Sequence, residues 1–451
     1  MQLKIENIGK VKKAEIDIIG ITSIIGFNST GKSTISKSLA AIGNAFDDFE
    51  QQVKGMILFE CSQEIDKWEE KNRNLLRQIK RKGKSFYEVY KKYDSIFSRF
   101  QSFSSEYMQT ILDYSSLEDF ISIMKKKYQL YEWEEILRST LPDKETYNIN
   151  IPLTDLFKKF EEIKFDNIDR YEKTVVTRAF YNYFKRQIAF LYDKKQGIIK
   201  LVDDKLNENI IIFHENILHE FGQGISDRIP VIYLQPMNIL DTLDRSLNGY
   251  RTLSYGKGEL MARLQHDFYS DTTTEDYETT EKLALIINEV LGSEKNIGEL
   301  TRDEWSVAYK ELNVISNEKA NIEMCNVASG IKNIAIIKRL ALNGELKRNS
   351  ILIIDEPEVN LHPEWQLKFA ELLVRFYCEV GIKILINTHS PYFLRAIEYY
   401  SDEKMILNKC KFYYMKNNEN MQSESIDKTN SLDDIYDDMA TTLDKLVDDE
   451  E

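Results

Sequence analysis

The run Gly26-Phe27-Asn28-Ser29-Thr30-Gly31-Lys32-Ser33-Thr34 fits the spacing GxxxxGK(S/T), and its residue types suit one kind of chemistry. Glycines let the backbone turn so that several amides aim at phosphate oxygens. Lys32 supplies a charge that reaches the outer phosphates, and Ser33 offers a hydroxyl to Mg²⁺. Apolar Ile24-Ile25 precede the loop, and a segment of helical periodicity, ISKSLAAIGNAF, follows it. Strand, loop and helix in that order bring a partially positive helix N-terminus to the same anion.

Two later segments end in polar residues after an apolar run. In Ile351-Leu-Ile-Ile-Asp355-Glu356-Pro357 a buried strand delivers a carboxylate pair. Asp355 is suited to hold Mg²⁺ through its water shell and Glu356 to polarise an attacking water. In Ile384-Leu-Ile-Asn387-Thr388-His389-Ser390-Pro391 a strand end presents His389 to the same sheet edge, where open α/β sheets place their ligands. There it could sense the terminal phosphate and orient the water. Asn326-Val-Ala328-Ser329-Gly330-Ile-Lys332 leads into the helical NIAIIKRLAL. A small-residue loop at a helix N-terminus is a second anion site. Since Gly26 to Thr34 already cradle one set of phosphates, Ser329, Gly330 and Lys332 should serve a nucleotide held by another copy. Gln235, after the apolar VIYL, is a candidate link between Mg²⁺ and the region inserted before it.

The elements that must position these residues are legible from periodicity. Residues 1 to 25 alternate in two runs, Leu3-Lys4-Ile5 and Ala14-Glu15-Ile16-Asp17-Ile18, before a continuously apolar third, which predicts three strands. A helix over about Pro363 to Val380 places Leu367, Ala370, Leu373, Val374 and Tyr377 on one face. Lying between two apolar strands, it predicts a parallel sheet buried on both sides. The fold class expected is α/β, a P-loop nucleoside triphosphatase with a mixed or parallel sheet, interrupted by a mostly helical insertion. The segments are a head over 1–49 and 226–415, a mostly helical insertion over 50–225 with a strand pair near 197–213, and an acidic tail over 416–451.

Acidic residues outnumber basic ones 74 to 60, for a net charge of −14, which argues against indiscriminate coating of nucleic acid. The charge is sorted. Glu424 to Glu451 carry eleven acids against two lysines, and Lys71 to Lys92 carry nine bases against Glu88 alone. That basic run meets Phe86, Tyr87, Tyr90, Tyr93, Phe97 and Phe100. Such a mixture either tracks phosphates and stacks on bases or is a helical hairpin with its aromatics buried. Cys61, Cys325, Cys378 and Cys410 lie too far apart for a CxxC site and read as reduced thiols of a cytoplasmic protein. Neither a secretory signal nor a membrane span is expected. His214-Glu215-Asn-Ile-Leu-His219 has one residue too many for a HExxH zinc site and reads as helix surface.

Taken in order, the four motifs resemble those of ATP-binding-cassette-type ATPases of the SMC, RecF and OLD group, over roughly residues 1–45 and 228–415. The resemblance implies that Gly26 to Thr34 are the Walker A loop, Asp355 and Glu356 the Walker B pair, Ala328 to Lys332 the signature loop and His389 the switch histidine. The cofactors implied are ATP and Mg²⁺. Two heads would close around shared ATP as a homo-oligomer. DEPEVNLHPEWQ and THSPYFLRAI are similar to AAA-family ATPases of bacterial anti-phage systems such as Septu and PARIS, which implies control of a separate effector, a nuclease or toxin. Two departures stand out. Ala328 aligns with the signature serine, and Leu361-His362 replaces a transporter's D-loop aspartate, as in the OLD group. The Toprim nuclease domain of OLD members is not expected in the 36 residues after Met415. A RecF- or SMC-like repair ATPase acting on DNA, and an assembly scaffold with little turnover, stay open as alternatives, as does nucleic acid as a partner.

Overall fold

The computed structural model describes residues 1–80, 159, 162–163, 168–190, 195–225, 229–235, 260, 263–266, 273–292, 298–302, 307–312, 319–322 and 327–439. The chain divides into two compact units, Met1–Asp47 with Val176–Glu451, and Asp48–Val175.

In the first unit, β1 (Gln2–Ile8) and β2 (Val11–Asp17) form an antiparallel pair, and β3 (Ile21–Ile25) leads to α1 (Lys32–Phe46). The chain returns through α3 (Ile168–Phe184), which begins in the second unit. It continues with β4 (Gly197–Val202), β5 (Glu208–His214), β6 (Ile217–Gln223) and β7 (Val231–Leu234). After α4 (Thr274–Leu291), strands β8 (Glu299–Arg302), β9 (Val307–Leu312) and β10 (Lys319–Ile322) make a small antiparallel sheet. Then follow α5 (Ser329–Leu342), β11 (Ile351–Asp355), α6 (Pro363–Arg375) with a wider π-turn over Phe376–Val380, β12 (Lys383–Thr388), α7 (Pro391–Glu403), β13 (Cys410–Asn417) and β14 (Ser423–Asp427).

Among the described residues eleven strands share one sheet, in the order β6-β5-β4-β1-β2-β14-β13-β3-β12-β11-β7. The run β13-β3-β12-β11-β7 is parallel throughout. Every residue of β3 and of β11 is buried, as strands covered on both faces require. Side chains alternate between those faces. Leu352, Ile354, Ile384 and Ile386 join one large core with Leu283 and Ile286 of α4, Ile334 and Ile337 of α5, Phe369 and Leu373 of α6, and Phe393 and Ile397 of α7. Helix α1 packs against β7, β11 and β12. In the second unit, α2 (Phe49–Lys80) buries Val53, Ile57 and Cys61, and the Tyr171 hydroxyl donates to Glu60 at 2.5 Å.

Several expectations need correction. The strand pair near 197–213 does not belong to the insertion: β4 pairs antiparallel with β1 along Gln2–Glu6 and extends the main sheet. The compact inserted unit therefore ends at Val175, not near residue 225. Apolar alternation in GIIKLV could not say which sheet the strand joins. His214 ends β5 and His219 lies within β6, on either side of a hairpin turn with Glu215 at φ 53°, so the helix-surface reading fails. Leu367 is 47% exposed, while Phe369, Leu372 and Phe376 share the buried face with Ala370, Leu373 and Val374. The acidic tail contributes β14, which fills the gap between β2 and β13, and residues 433–439 form a helical turn with Ile435 buried. Of the basic and aromatic run, the helical backbone to Lys80 is described and the rest lies outside the described residues, as do Cys325 and Asn326.

Where α1 crosses β7, glycine is required by space. A Cβ on Gly43 would lie 2.3 Å from Cγ2 of Val231, a stiff β-branched neighbour. Gly43→Ala is therefore expected to lower stability by about 1–3 kcal/mol despite its better helix propensity, measured by urea unfolding. Val231→Ala in the same chain should recover part of the loss, and no loss with Gly43→Ala alone would refute this packing.

Candidate functional site

The parallel strands all end at one edge, and register brings the polar residues level there. Asp355 pairs with Asn387, Asn387 with Ile24, and Thr388 with Ile25, the residue before the glycine-rich loop. The loop leaves β3 at Gly26 and enters α1 through Gly31 at φ 83°, a left-handed conformation that glycine adopts without a Cβ clash. Ser29, at φ 63°, also adopts it. Helix α1 has no side-chain cap and no acidic residue in its first turn, so its leading amides keep their attraction for an anion. Phe27, Asn28 and Ser29 are exposed, and Thr30 is buried with its hydroxyl donating to the Phe27 carbonyl at 2.8 Å.

Lys32 is buried, and its ammonium donates to the carbonyls of Gly26 at 2.7 Å and Phe27 at 2.9 Å. Desolvation pushes its pKa below the usual lysine value, opposed by the nearby charges of Glu356, Glu358 and Asp355. The lysine of the loop and the carboxylates of β11 are thus electrostatic neighbours, although more than 300 residues separate them in sequence.

Asp355 is 2% exposed. Its Oδ2 accepts from the Tyr233 hydroxyl at 2.7 Å and its Oδ1 from the Asn387 amide at 2.6 Å, and Ser33 and Ser36 are electrostatic neighbours that favour its charged form. The Asn387 amide donates to Ser36 Oγ as well, at 2.7 Å. Burial nonetheless raises the Asp355 pKa above its ordinary value, against the stabilising effect of its neighbours Tyr233, Ser33, Ser36 and Asn387. The same burial, with the Asp355 charge, drives the Tyr233 pKa well up. Glu356, one residue on, turns away at φ 51° with its amide donating to the Asn387 carbonyl at 2.8 Å, and its side chain is one-third exposed. Left-handed backbone at a non-glycine residue costs on the order of 1 kcal/mol and is concentrated at functional sites.

His389 Nδ1 lies 3.9 Å from Glu356 Oε1 and 3.4 Å from Glu358 Oε1. Glu358 is buried, its Oε1 accepts from the Thr388 hydroxyl at 2.7 Å and the His389 amide at 3.1 Å, and its Oε2 is buried without a hydrogen-bond partner. Gln235 follows β7 directly, at the same sheet edge as Asp355. Ser329 opens α5 behind the exposed N-cap Ala328, and Lys332 is buried one turn on. Gly330 packs so closely on Asn360 and Leu361 that a Cβ would meet the Asn360 carbonyl at 2.5 Å. His362 caps α6, its Nδ1 accepting from the Glu364 amide.

The structure therefore gathers Lys32, Ser33, Asp355, Glu356 and His389 at one edge. Sequence reasoning missed Tyr233, Ser36, Asn387 and Glu358. Ser36 stands one helical turn after Ser33, and Asn387 sits one strand over from Asp355. Those spacings were available signals, whereas nothing in VIYL points to Tyr233. The donor set suits a hard divalent cation, since Ser33 and Asp355 offer only oxygens.

Residues 1–394 match the family described as AAA ATPase domain. The chain belongs to that family. This AAA ATPase domain protein also aligns with solved SMC heads. The first, the SMC head domain from Thermotoga maritima, is 8% identical over 94% of this chain and 97% of that one, with a TM-score of 0.36. Another, an Smc head with an extended coiled coil bound to the C-terminal domain of ScpA, from Pyrococcus furiosus, is 11% identical over 98% of each chain at 0.32. Scores of this size add nothing to the sheet order above. A comparison with curated proteins finds no match. Among the described residues, no helix is long and apolar enough to cross a membrane.

The raised pKa of Asp355 has a consequence for stability. A carboxyl whose folded pKa exceeds its ordinary 3.8 favours the fold most below that pH and loses the contribution as pH rises through the folded value. Asp355→Asn is expected to raise the thermal midpoint of the nucleotide-free protein at pH 7, the difference narrowing as pH is lowered toward about 4. A lower midpoint at pH 7 would contradict this reading of the buried charge.

Proposed function

We propose that the chain binds ATP with Mg²⁺ between the loop Gly26–Thr34 and the carboxylates of β11, and hydrolyses it. The observation that supports this most is the electrostatic proximity of Lys32 to Asp355, Glu356 and Glu358, beside an uncapped helix N-terminus. Backbone amides of the loop and Lys32 hold the β- and γ-phosphates, exchanging the Gly26 and Phe27 carbonyls for phosphate oxygens. Ser33 and Asp355 hold the cation, with Gln235 as a further candidate ligand. When bound, Mg²⁺ neutralises charge on the phosphate oxygens. Glu356, partly open to solvent, accepts the proton of the water that attacks the γ-phosphorus, and His389 orients that water and meets the terminal phosphate.

The remainder of the proposal concerns assembly. Ser329, Gly330 and Lys332, at the N-terminus of α5, cap the ATP of a second copy, so that binding closes a homodimer and turnover reopens it. The sequence likeness of DEPEVNLHPEWQ and THSPYFLRAI supports a role in anti-phage defence, the ATPase controlling a nuclease or toxin. A repair ATPase of SMC or RecF type fits the same site equally well.

Steady-state phosphate release tests the enzyme. Glu356→Gln should lower kcat by about 100-fold or more while ATP still binds, and Lys32→Ala should abolish binding. Equal rates for wild type and Glu356→Gln would leave a scaffold that hardly turns ATP over.

Sharing between copies is tested by mixing Lys32→Ala with Ala328→Asp. Ala328 is an exposed N-cap, where aspartate is well tolerated, yet its charge would repel the opposing triphosphate. Random pairing of the two inactive variants leaves about a quarter of the sites intact, so about that share of activity should return on mixing. None returning would argue for sites complete within one chain.

A further inference from the structure

Glu358 enters no role assigned above, yet it is the most enclosed acid near the reacting end of the site after Asp355. One oxygen, Oε1, collects three groups from the end of β12 and the residue after it: the Thr388 hydroxyl at 2.7 Å, the His389 amide at 3.1 Å and His389 Nδ1 at 3.4 Å. The Thr388 oxygen in turn accepts from the Ser390 amide at 3.0 Å. The Ser390 hydroxyl accepts from the Phe393 amide and starts α7. A single carboxylate therefore fixes the backbone that carries His389, and faces its ring as well. The other oxygen is buried without a hydrogen-bond partner, and the charge of the carboxylate is set against the Lys32 ammonium.

We propose that Glu358 is a positioning residue for His389, holding its loop through Oε1 and engaging Nδ1 so that Nε2 is the nitrogen presented to the substrate. This rests on the reading of His389 as the residue that meets the phosphate. The 3.4 Å separation is loose for a hydrogen bond, and such contacts tighten when the site closes. Partners that orient a functional histidine through its second nitrogen change activity by about 10–100-fold when removed. Glu358 acts through His389 and does not touch ATP.

Two measurements on the full chain test this. The first needs no nucleotide. With five histidines in the chain, the His389 ring signals can be assigned in a long-range ¹H–¹⁵N spectrum by comparison with His389→Ala. The wild type should show hydrogen bonded to Nδ1, and Glu358→Gln should shift that signal toward a mixture of tautomers. The second is a double-mutant cycle on phosphate release. Glu358→Gln should lower kcat by about 10–100-fold with KM changed less than about threefold, yet alter the rate less than about twofold in a His389→Ala background. Thr388→Val, nearly isosteric, should give a smaller loss with the same dependence on His389, and it supplies the cycle if Glu358→Gln folds poorly. Equal losses in both backgrounds, or a His389 spectrum indifferent to Glu358, would overturn the proposal while wild-type hydrolysis stands. A wild type that releases no phosphate would instead overturn the hydrolytic reading beneath it.

Discussion

A carboxylate buried at the end of a parallel strand is costly unless its oxygens are satisfied, and Asp355 meets that constraint with donors from two other strands. Tyr233 comes from β7 and Asn387 from β12, and Asn387 also donates to Ser36 of α1. Each bond fixes a relative position. Asn387, bridging Asp355 and Ser36, ties the helix after the glycine-rich loop to the middle of the sheet, so the loop cannot shift without breaking a buried polar contact. Desolvation still raises the pKa of this carboxyl despite its hydrogen bonds, and a divalent cation beside it would offset that cost.

The sheet supplies the rest of the geometry. Strand β3 lies between β13 and β12, so the strand carrying the loop is completed only by residues near the C-terminal end of the chain. Strand β14 then joins β13 to β2, uniting the parallel half with the antiparallel half through residues that look, by charge, like a solvated tail. Because the inserted unit leaves after α1 and returns through α3, the head is assembled from distant stretches, and its site depends on long-range pairing throughout.

What was legible in the sequence follows from this physics. Continuous apolar runs identified β11 and β12, since strands buried on both faces have no polar alternation to confuse with loops, and Ile24-Ile25 marked the end of β3. The glycine-rich loop and the acid pair were legible because their chemistry restricts residue type at fixed spacing. The residues around Asp355 were harder. Ser36 and Asn387 are common polar residues whose meaning lies in register across strands, and Tyr233 satisfies a carboxylate from a strand more than 100 residues away. Glu358 was overlooked beside the more conspicuous Asp355 and Glu356. Alternation in GIIKLV predicted a strand but not its neighbour, and the 3.6-residue period placed Leu367 on the buried face although its turn of α6 lies at the solvent edge.

The central claim is that a triphosphate and its cation lie between the loop and the β11 carboxylates. Calorimetric titration of the full chain with ATP, in the presence of Mg²⁺ and then with the cation chelated, tests it most directly. The account predicts saturable binding of one ATP per chain, weakened about tenfold or more without Mg²⁺ and undetectable in Lys32→Ala. Absence of saturable binding, or binding unaltered by both the chelator and the lysine substitution, would contradict it.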